Sequence, residues 1–231
     1  MPIKFWIFTG LTLALVAFIS YGTYATARLL RTWQPDRNLL LLPAENLVRL
    51  VLIGLCLVLG LLSGVPAAQL GWVFPAVGDQ LLWGSLWGVG LALFFYWSTR
   101  WFIAQTGQRF YSSVVIQAIT PQRRVELWLV LLAMLPVVLL EELLFRSLLI
   151  GGFAHLAPVS LLVIGWSILF GLLHSPQGVW GMVGAGLAGL LLGALFAYAS
   201  SLLLPLVTHY VTNCLQIIQA MRLASTSSVQ P

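Results

Sequence analysis

The chain has very few charged residues. Asp, Glu, Lys and Arg make up only 7% of its 231 residues, whereas hydrophobic residues make up 60%. A typical soluble domain is about one quarter charged, and no polar stretch of this chain is long enough to form such a domain. The composition therefore excludes a soluble enzyme and predicts an all-α, polytopic bundle of helices within a lipid bilayer.

Cysteine is scarce as well, and a common protease motif is missing. Cys56 and Cys214 lie in separate apolar runs and form no CxxC pair, so we expect two buried free thiols, without a disulfide or a zinc–thiolate site. The HExxH pattern of many zinc proteases is absent. The net charge of +5 comes from thinly spread basic residues. This pattern is typical of membrane orientation and argues against nucleic acid as a partner.

Apolar runs of about 20 residues are long enough to cross a bilayer. Such runs predict about seven membrane helices, within a range of six to eight. They lie at residues 5–25, 46–65, 81–103, 126–152, 158–174, 179–199 and 202–221.

The basic residues predict how these helices are oriented. Lys and Arg concentrate in the loops at 28–37 and 100–124, and Arg222 follows the last run, so we expect an outside N-terminus and a cytoplasmic C-terminus. The first run could instead be a signal peptide with a cleavage site at residues 25–27, but the arginines after it favour an uncleaved helix. The loop 105–122 is either an amphipathic surface helix or a cover for the bundle.

Two acids interrupt the fourth apolar run. Glu141 and Glu142 are followed by Arg146, although an ionisable side chain near the bilayer centre costs about 2.5–3.5 kcal/mol and so marks function by default. Glu142 and Arg146 have the spacing of a helical ion pair. Glu141 has Phe145 rather than a base one turn later. Glu141 is therefore the carboxylate that remains available for chemistry.

Two histidines have helical spacing from aromatic or polar partners. Phe170 precedes His174 by four residues, and His209 precedes Asn213 by four, so each pair shares one helix face. We interpret His155, near the end of the fourth run, as an interfacial residue without a catalytic role.

These side chains permit two kinds of chemistry. An acid and a histidine can hold and deprotonate a water, while a second histidine and an amide donate hydrogen bonds to an oxyanion. Alternatively, Glu141, His174 and His209 could bind a divalent metal such as zinc. We expect all the intramembrane polar residues to converge on one cavity, because each would be costly facing lipid.

The three motifs resemble those of a known family. EExxxR, FxxxH and HxxxN look like the motifs of the CAAX-processing and bacteriocin-processing (CPBP, or abortive-infection) intramembrane endopeptidases, which include the type II CAAX prenyl endopeptidases. The resemblance covers residues 124–221. It leaves residues 1–123 as helices outside the shared core and residues 222–231 as a polar tail. The motif positions are filled by Glu141, Glu142, Arg146, Phe170, His174, His209 and Asn213.

The resemblance implies roles for these positions. Glu141 and His174 would activate water, and His209 and Asn213 would stabilise the oxyanion or position the substrate. Supporting roles would fall to Glu142, Arg146 and Phe170. The family is often labelled metal-dependent, whereas we favour a metal-free mechanism.

The expected substrate is a peptide or a membrane protein, prenylated or not. Two other functions remain open at this stage. One is a catalytically silent relative that acts as a scaffold, chaperone or immunity protein. The other is a proton-coupled transporter, which the absence of an internal repeat disfavours.

A further question is whether the candidate residues lie at the same depth in the bilayer. Glu141 and His209 lie toward the outer half of their predicted helices, whereas His174 lies near the cytoplasmic end of its own.

Overall fold

The structure, a computed structural model, describes residues 3–30, 32–33 and 37–227. Every regular element in these ranges is helical, which confirms the predicted all-α bundle. Seven long helices and one short helix, α4, follow one another along the chain. They are α1 (Ile3–Leu29), α2 (Pro43–Leu62), α3 (Val77–Thr106), α4 (Val114–Ile119), α5 (Arg124–Glu142), α6 (Val159–Leu173), α7 (Gly178–Ala199) and α8 (Leu203–Ser227).

Each long helix corresponds to one predicted membrane crossing. Among the described residues, five are long and apolar enough to span a bilayer: α1, α2, α3, α5 with its continuation to Gly151, and the segment containing α7. The chain is therefore an integral, multi-pass membrane protein. α6 is apolar but has only 15 residues, and α8 continues past the predicted end at 221 to Ser227. Residues 228–231 of the polar tail and Arg31 of the basic loop lie outside the described residues.

Small residues bring α3 against α8. Gly84 and Gly88 lie one turn apart on α3, and a Cβ atom at either position would come within 3.0 Å of Val207 or Val211. The Thr212 hydroxyl donates to the Gly88 carbonyl at 3.2 Å. Such close contacts are typical of small residues between membrane helices. They fix one face of α8, so that a different face, which carries His209, is turned toward α5.

Glycines also bring α6 against α7, as the small-residue content of the sixth run predicts. A Cβ atom on Gly171 would lie 2.6 Å from the Met182 carbonyl oxygen, and one on Gly189 would lie 3.1 Å from the Ser167 side chain. The two helices are joined by a short 3₁₀ turn, Ser175–Gln177. This contact fixes the end of α6, where Phe170 and His174 lie.

α2 packs beside α5, and its inward residues join the core. Ile53, Cys56 and Leu59 are buried together with the residues that follow α5, from Leu143 to Ile150. Cys56 is a buried free thiol, as expected, whereas the free thiol of Cys214 is only half-buried.

The segment 105–122 covers the bundle, and its regular helix has only six residues. The Ser112 amide donates to the Gln177 carbonyl at 3.0 Å, and the Asn38 side chain donates to the Ile119 carbonyl at 2.8 Å. Gly178, at φ +82°, lies against the backbone of residues 110–112. The segment thus closes one end of the bundle, over the turn between α6 and α7.

Candidate active site

The helix that carries the acids changes its winding directly after them. α5 ends at Glu142, and a π-helix continues from Leu143 to Gly151. All nine residues of this π-helix are buried. Such wide turns are rare in proteins and frequently occur at functional sites. Sequence periodicity did not indicate the π-helix, because the run is apolar almost throughout.

The predicted ion pair between Glu142 and Arg146 is present and buried. Arg146 Nη1 lies 2.9 Å from Glu142 Oε1, and the exposed fractions of the two side chains are 2% and 0%. The guanidinium also donates through Nη2 to the Gly189 carbonyl at 3.3 Å and lies 4.9 Å from the centre of the Phe170 ring. Arg146 thus links α5, α6 and α7.

His209 brings α8 to both acids. Its Nδ1 atom lies 2.7 Å from Glu142 Oε1, and its Nε2 atom lies 3.6 Å from Glu141 Oε2. A carboxylate oxygen accepts a hydrogen bond, so the Nδ1–H group of His209 donates to Glu142. The Glu141 side chain is 29% exposed, while that of Glu142 is fully buried. Glu141 is therefore the accessible carboxylate of the pair, next to a histidine.

His174 lies at the end of α6 on the other side of Phe170. Its Nδ1 atom is 2.7 Å from the Phe170 carbonyl oxygen, which can only accept, so Nδ1 carries the proton and Nε2 of the neutral ring is an acceptor. The Phe170 ring centre is 4.6 Å from that of His174 and 6.1 Å from that of His209. The half-buried His174 and the buried His209 thus flank one aromatic ring.

The length of α6 explains how His174 reaches the depth of the acids. Fifteen helical residues span about 22 Å, less than the roughly 30 Å of hydrocarbon. α6 therefore ends inside the bundle, and the turn that follows it is covered by the segment 107–119. The structure thus has a short helix, Val159–Leu173, followed by the 3₁₀ turn Ser175–Gln177.

Asn213 lies one turn from His209 on α8 but contacts a different group. Its Nδ2 atom lies 3.6 Å from the Met134 sulfur, and Met134 precedes Glu141 by two helical turns on α5. Ion-pair and ring contacts join six residues into one cluster: Glu141, Glu142, Arg146, Phe170, His174 and His209. Asn213 borders this cluster without a hydrogen bond to either acid in the described residues.

The side chains that the sequence offered as metal ligands, Glu141, His174 and His209, all lie in this cluster. In the described part of the chain, no group of three or more His, Cys, Asp and Glu side chains is placed to hold a metal ion. The Nδ1 atoms of both histidines are engaged by Glu142 and by the Phe170 carbonyl. This leaves the Nε2 atoms of both rings as the nitrogens that could bind a further group.

Comparison with known families identifies the region that carries this cluster. Residues 123–215 match a family described as type II CAAX prenyl endopeptidase Rce1-like. This part of the chain is thus similar to the Rce1-like family. The family is one of proteases, and the match agrees with the resemblance of the three motifs. No curated protein and no solved structure matches the chain.

The Rce1-like segment includes α5, the π-helix, α6, α7 and much of α8, and every motif residue lies within it. Two groups near the acids were missed from the sequence. One is the Gly189 carbonyl, which no side-chain pattern can reveal. The other is Arg49, which lies on α2, outside the Rce1-like segment. Its position inside a predicted membrane helix was the available signal.

Proposed function

We propose that the protein is an intramembrane endopeptidase in which Glu141, together with His174, activates the attacking water. The observation that carries the proposal is the contrast between adjacent acids: Glu142 is fully buried and bound by Arg146 and His209, whereas Glu141 is partly exposed beside His209. An accessible carboxylate in an apolar surround is a strong general base when it faces a substrate.

The reaction follows from these groups. Glu141 takes a proton from water as the water oxygen bonds to the carbonyl carbon of the peptide. The Nε2 acceptor of His174 holds the same water in place. The carbon–nitrogen bond then breaks, and the proton passes from Glu141 to the leaving amine.

The negative charge that develops on the carbonyl oxygen of the substrate must be stabilised by hydrogen-bond donors. We assign the amide of Asn213 and the ring of His209, one helical turn apart on α8, to this oxyanion. Because Nδ1–H of His209 donates to Glu142, its Nε2 donates to the oxyanion only when the ring carries a second proton. Glu142 and Arg146 hold His209 in place, because Glu142 Oε1 accepts hydrogen bonds from both Arg146 and His209. Phe170 separates the two imidazoles and supports Arg146.

We propose that hydrolysis proceeds without a metal, because no group of three or more His, Cys, Asp and Glu side chains is placed to hold one in the described residues. Its substrate is a peptide segment, free or part of a membrane protein, that reaches the site within the lipid bilayer. We further propose that the C-terminus is cytoplasmic and the N-terminus is outside, from the distribution of basic residues.

The decisive experiment is hydrolysis of a peptide library by the protein in liposomes. We expect the unchanged protein to release fragments and Glu141→Gln to be inactive, since the amide keeps the shape of the side chain and loses its basicity. Glu126→Gln is the matched control, because Glu126 lies in the first turn of the same helix and is about four turns before Glu141. A folded, unchanged protein without activity toward any peptide would instead support the catalytically silent relative.

A further inference from the structure

A cavity of about 690 Å³ lies at one end of the bundle, between the connection from α1 to α2, the segment that contains α4, and the first turns of α5. α1 ends at Leu29, α2 begins at Pro43 and α5 begins at Arg124. All three helices are long and apolar enough to span a bilayer, so the cavity beside their ends lies at the depth of the lipid headgroups. Glu126, which lines the cavity, precedes Glu141 by about four helical turns. The cavity is therefore separate from the candidate active site.

Two arginines from different segments line this cavity. Arg37 lies in the connection from α1 to α2, and Arg123 lies directly before α5. Both side chains are exposed, and neither guanidinium makes a hydrogen bond or an ion pair with any residue in the described ranges. Each guanidinium has five N–H donors. These donors are therefore available to an anion that enters the cavity.

The charge of the lining limits which anion fits. The third charged residue of the lining is Glu126, whose Oε2 atom accepts a hydrogen bond from the Gln122 backbone amide at 2.8 Å. Two arginines and one glutamate give the lining a net charge of +1. A ligand group with one negative charge complements this lining, whereas a group that also carries an ammonium is repelled by the two guanidinium groups.

The apolar part of the lining continues onto the lipid-facing surface of α5. Val125 and Leu129 line the cavity, lie four residues apart on one helix face, and are 74% and 52% exposed. Because α5 and its continuation to Gly151 are long enough to span the bilayer, this exposed face contacts acyl chains. A ligand that uses both parts of the lining has an anionic group and hydrocarbon chains. A free inorganic anion would leave the apolar face unused.

We propose that this cavity binds the headgroup of an anionic phospholipid. Its phosphate is bound by Arg37 and Arg123, and its acyl chains lie along Val125 and Leu129. Guanidinium groups form charge-assisted, bidentate hydrogen bonds with phosphate, and basic pockets between membrane helices bind phospholipid headgroups. The proposal does not depend on hydrolysis, because the cavity is remote from the acids.

The test measures lipid binding to the full-length protein in a non-ionic detergent. Native mass spectrometry counts the bound lipid molecules during titration with phosphatidylglycerol or with phosphatidylcholine that has the same acyl chains. We expect one phosphatidylglycerol molecule to bind about 10- to 30-fold more tightly than phosphatidylcholine. This preference should fall as the concentration of ammonium acetate rises, because salt screens exposed charges. Equal affinity for the two lipids would overturn the proposal.

Variants then assign the preference to the two arginines. We expect the double variant Arg37→Gln, Arg123→Gln to lose the preference, and the double variant Arg37→Lys, Arg123→Lys to retain part of it. Arg100→Gln is the matched control, since Arg100 is an exposed cation of α3 outside the cavity. Thermal unfolding without added lipid should be the same for all these proteins. An undiminished preference in the glutamine double variant, or an equal loss in the control, would overturn the assignment.

A further titration separates a lipid from a free phosphate as the ligand. Glycerol phosphate presents the phosphate without acyl chains. We expect no binding of glycerol phosphate at the concentrations at which phosphatidylglycerol saturates the site. Binding of glycerol phosphate as tight as that of the lipid, and dependent on the same arginines, would overturn the lipid assignment and leave a site for soluble phosphate esters. All these readouts are independent of hydrolysis, so a protein that cleaves no peptide can still confirm or reject the lipid site.

Discussion

The Nδ1 atom of His209 lies 2.7 Å from the Oε1 atom of Glu142, although the two residues are 67 positions apart in the chain. The same oxygen accepts from Arg146. One carboxylate oxygen thus joins α8 to the π-helix that follows α5. The other oxygen of Glu142, Oε2, is buried and has no hydrogen-bond partner among the described residues. The hydrogen bonds of this buried carboxylate to Arg146 and His209 are therefore both made by Oε1.

We expect Arg146→Leu to destabilise the protein strongly. Removing one partner of a buried ion pair leaves the other charge stranded, at a cost of about 3–5 kcal/mol. Thermal unfolding in detergent measures the loss. The double variant Glu142→Gln, Arg146→Leu should be less unstable than the sum of the single variants, because it strands no charge. A stable but inactive Arg146→Leu protein would instead give Arg146 a direct role at the substrate.

Replacement by glutamine should affect the unfolding temperature differently at Glu141 and at Glu142. Glu141→Gln should leave the unfolding temperature almost unchanged, because this side chain is partly exposed and its distance to His209 is 3.6 Å. Glu142→Gln should lower it, because the buried contacts to Arg146 and His209 lose their charge. Only the first variant should be fully folded and inactive. Equal unfolding temperatures for the two variants would contradict these assignments.

We expect hydrolysis to continue without a tightly bound metal. Metal analysis of purified active protein should find less than one equivalent of zinc, and chelators should leave the rate unchanged. The physical reason is that no group of three or more His, Cys, Asp and Glu side chains is placed to hold a metal ion in the described chain. Activity that chelation removes and added zinc restores would make Glu141, His174 and His209 the ligands to test.

The contact between α6 and α7 should control the position of His174. Gly171→Ala places a Cβ atom 2.6 Å from the Met182 carbonyl oxygen, and such overpacking costs about 1–3 kcal/mol. Both the unfolding temperature and the activity should fall. Gly165→Ala is the control on the same helix, because nothing lies within 4 Å of its Cβ position, so its unfolding temperature should stay equal or rise slightly.

Contacts within one helix could be predicted from the sequence, whereas contacts between helices could not. The pairing of Glu142 with Arg146 follows from a four-residue spacing. His209 lies closer to Glu142 than to Glu141. Which acid it approaches depends on the rotation of α8 about its axis relative to α5, and the glycines of α3 fix that rotation. The spacing of residues within one helix does not determine that rotation. The same reason explains why the position of Asn213 against Met134 was unexpected.

The seven long helices were predictable because their apolar runs are separated by polar or glycine-rich turns. The π-helix was not, because nine mostly apolar residues give no periodic signal that would distinguish it from an α-helix. Arg49 lies within the predicted run 46–65, where the sequence assigned it no role. Its inward direction became evident only when α2 was placed beside α5.

The buried π-helix also limits how a peptide approaches the acids. None of its nine side chains faces lipid, so the half of the long helix that follows Glu142 is closed to a molecule diffusing in the bilayer. The preceding turns of α5 are more open, and Leu135 is exposed there. We therefore expect a substrate to reach Glu141 from the side of those turns.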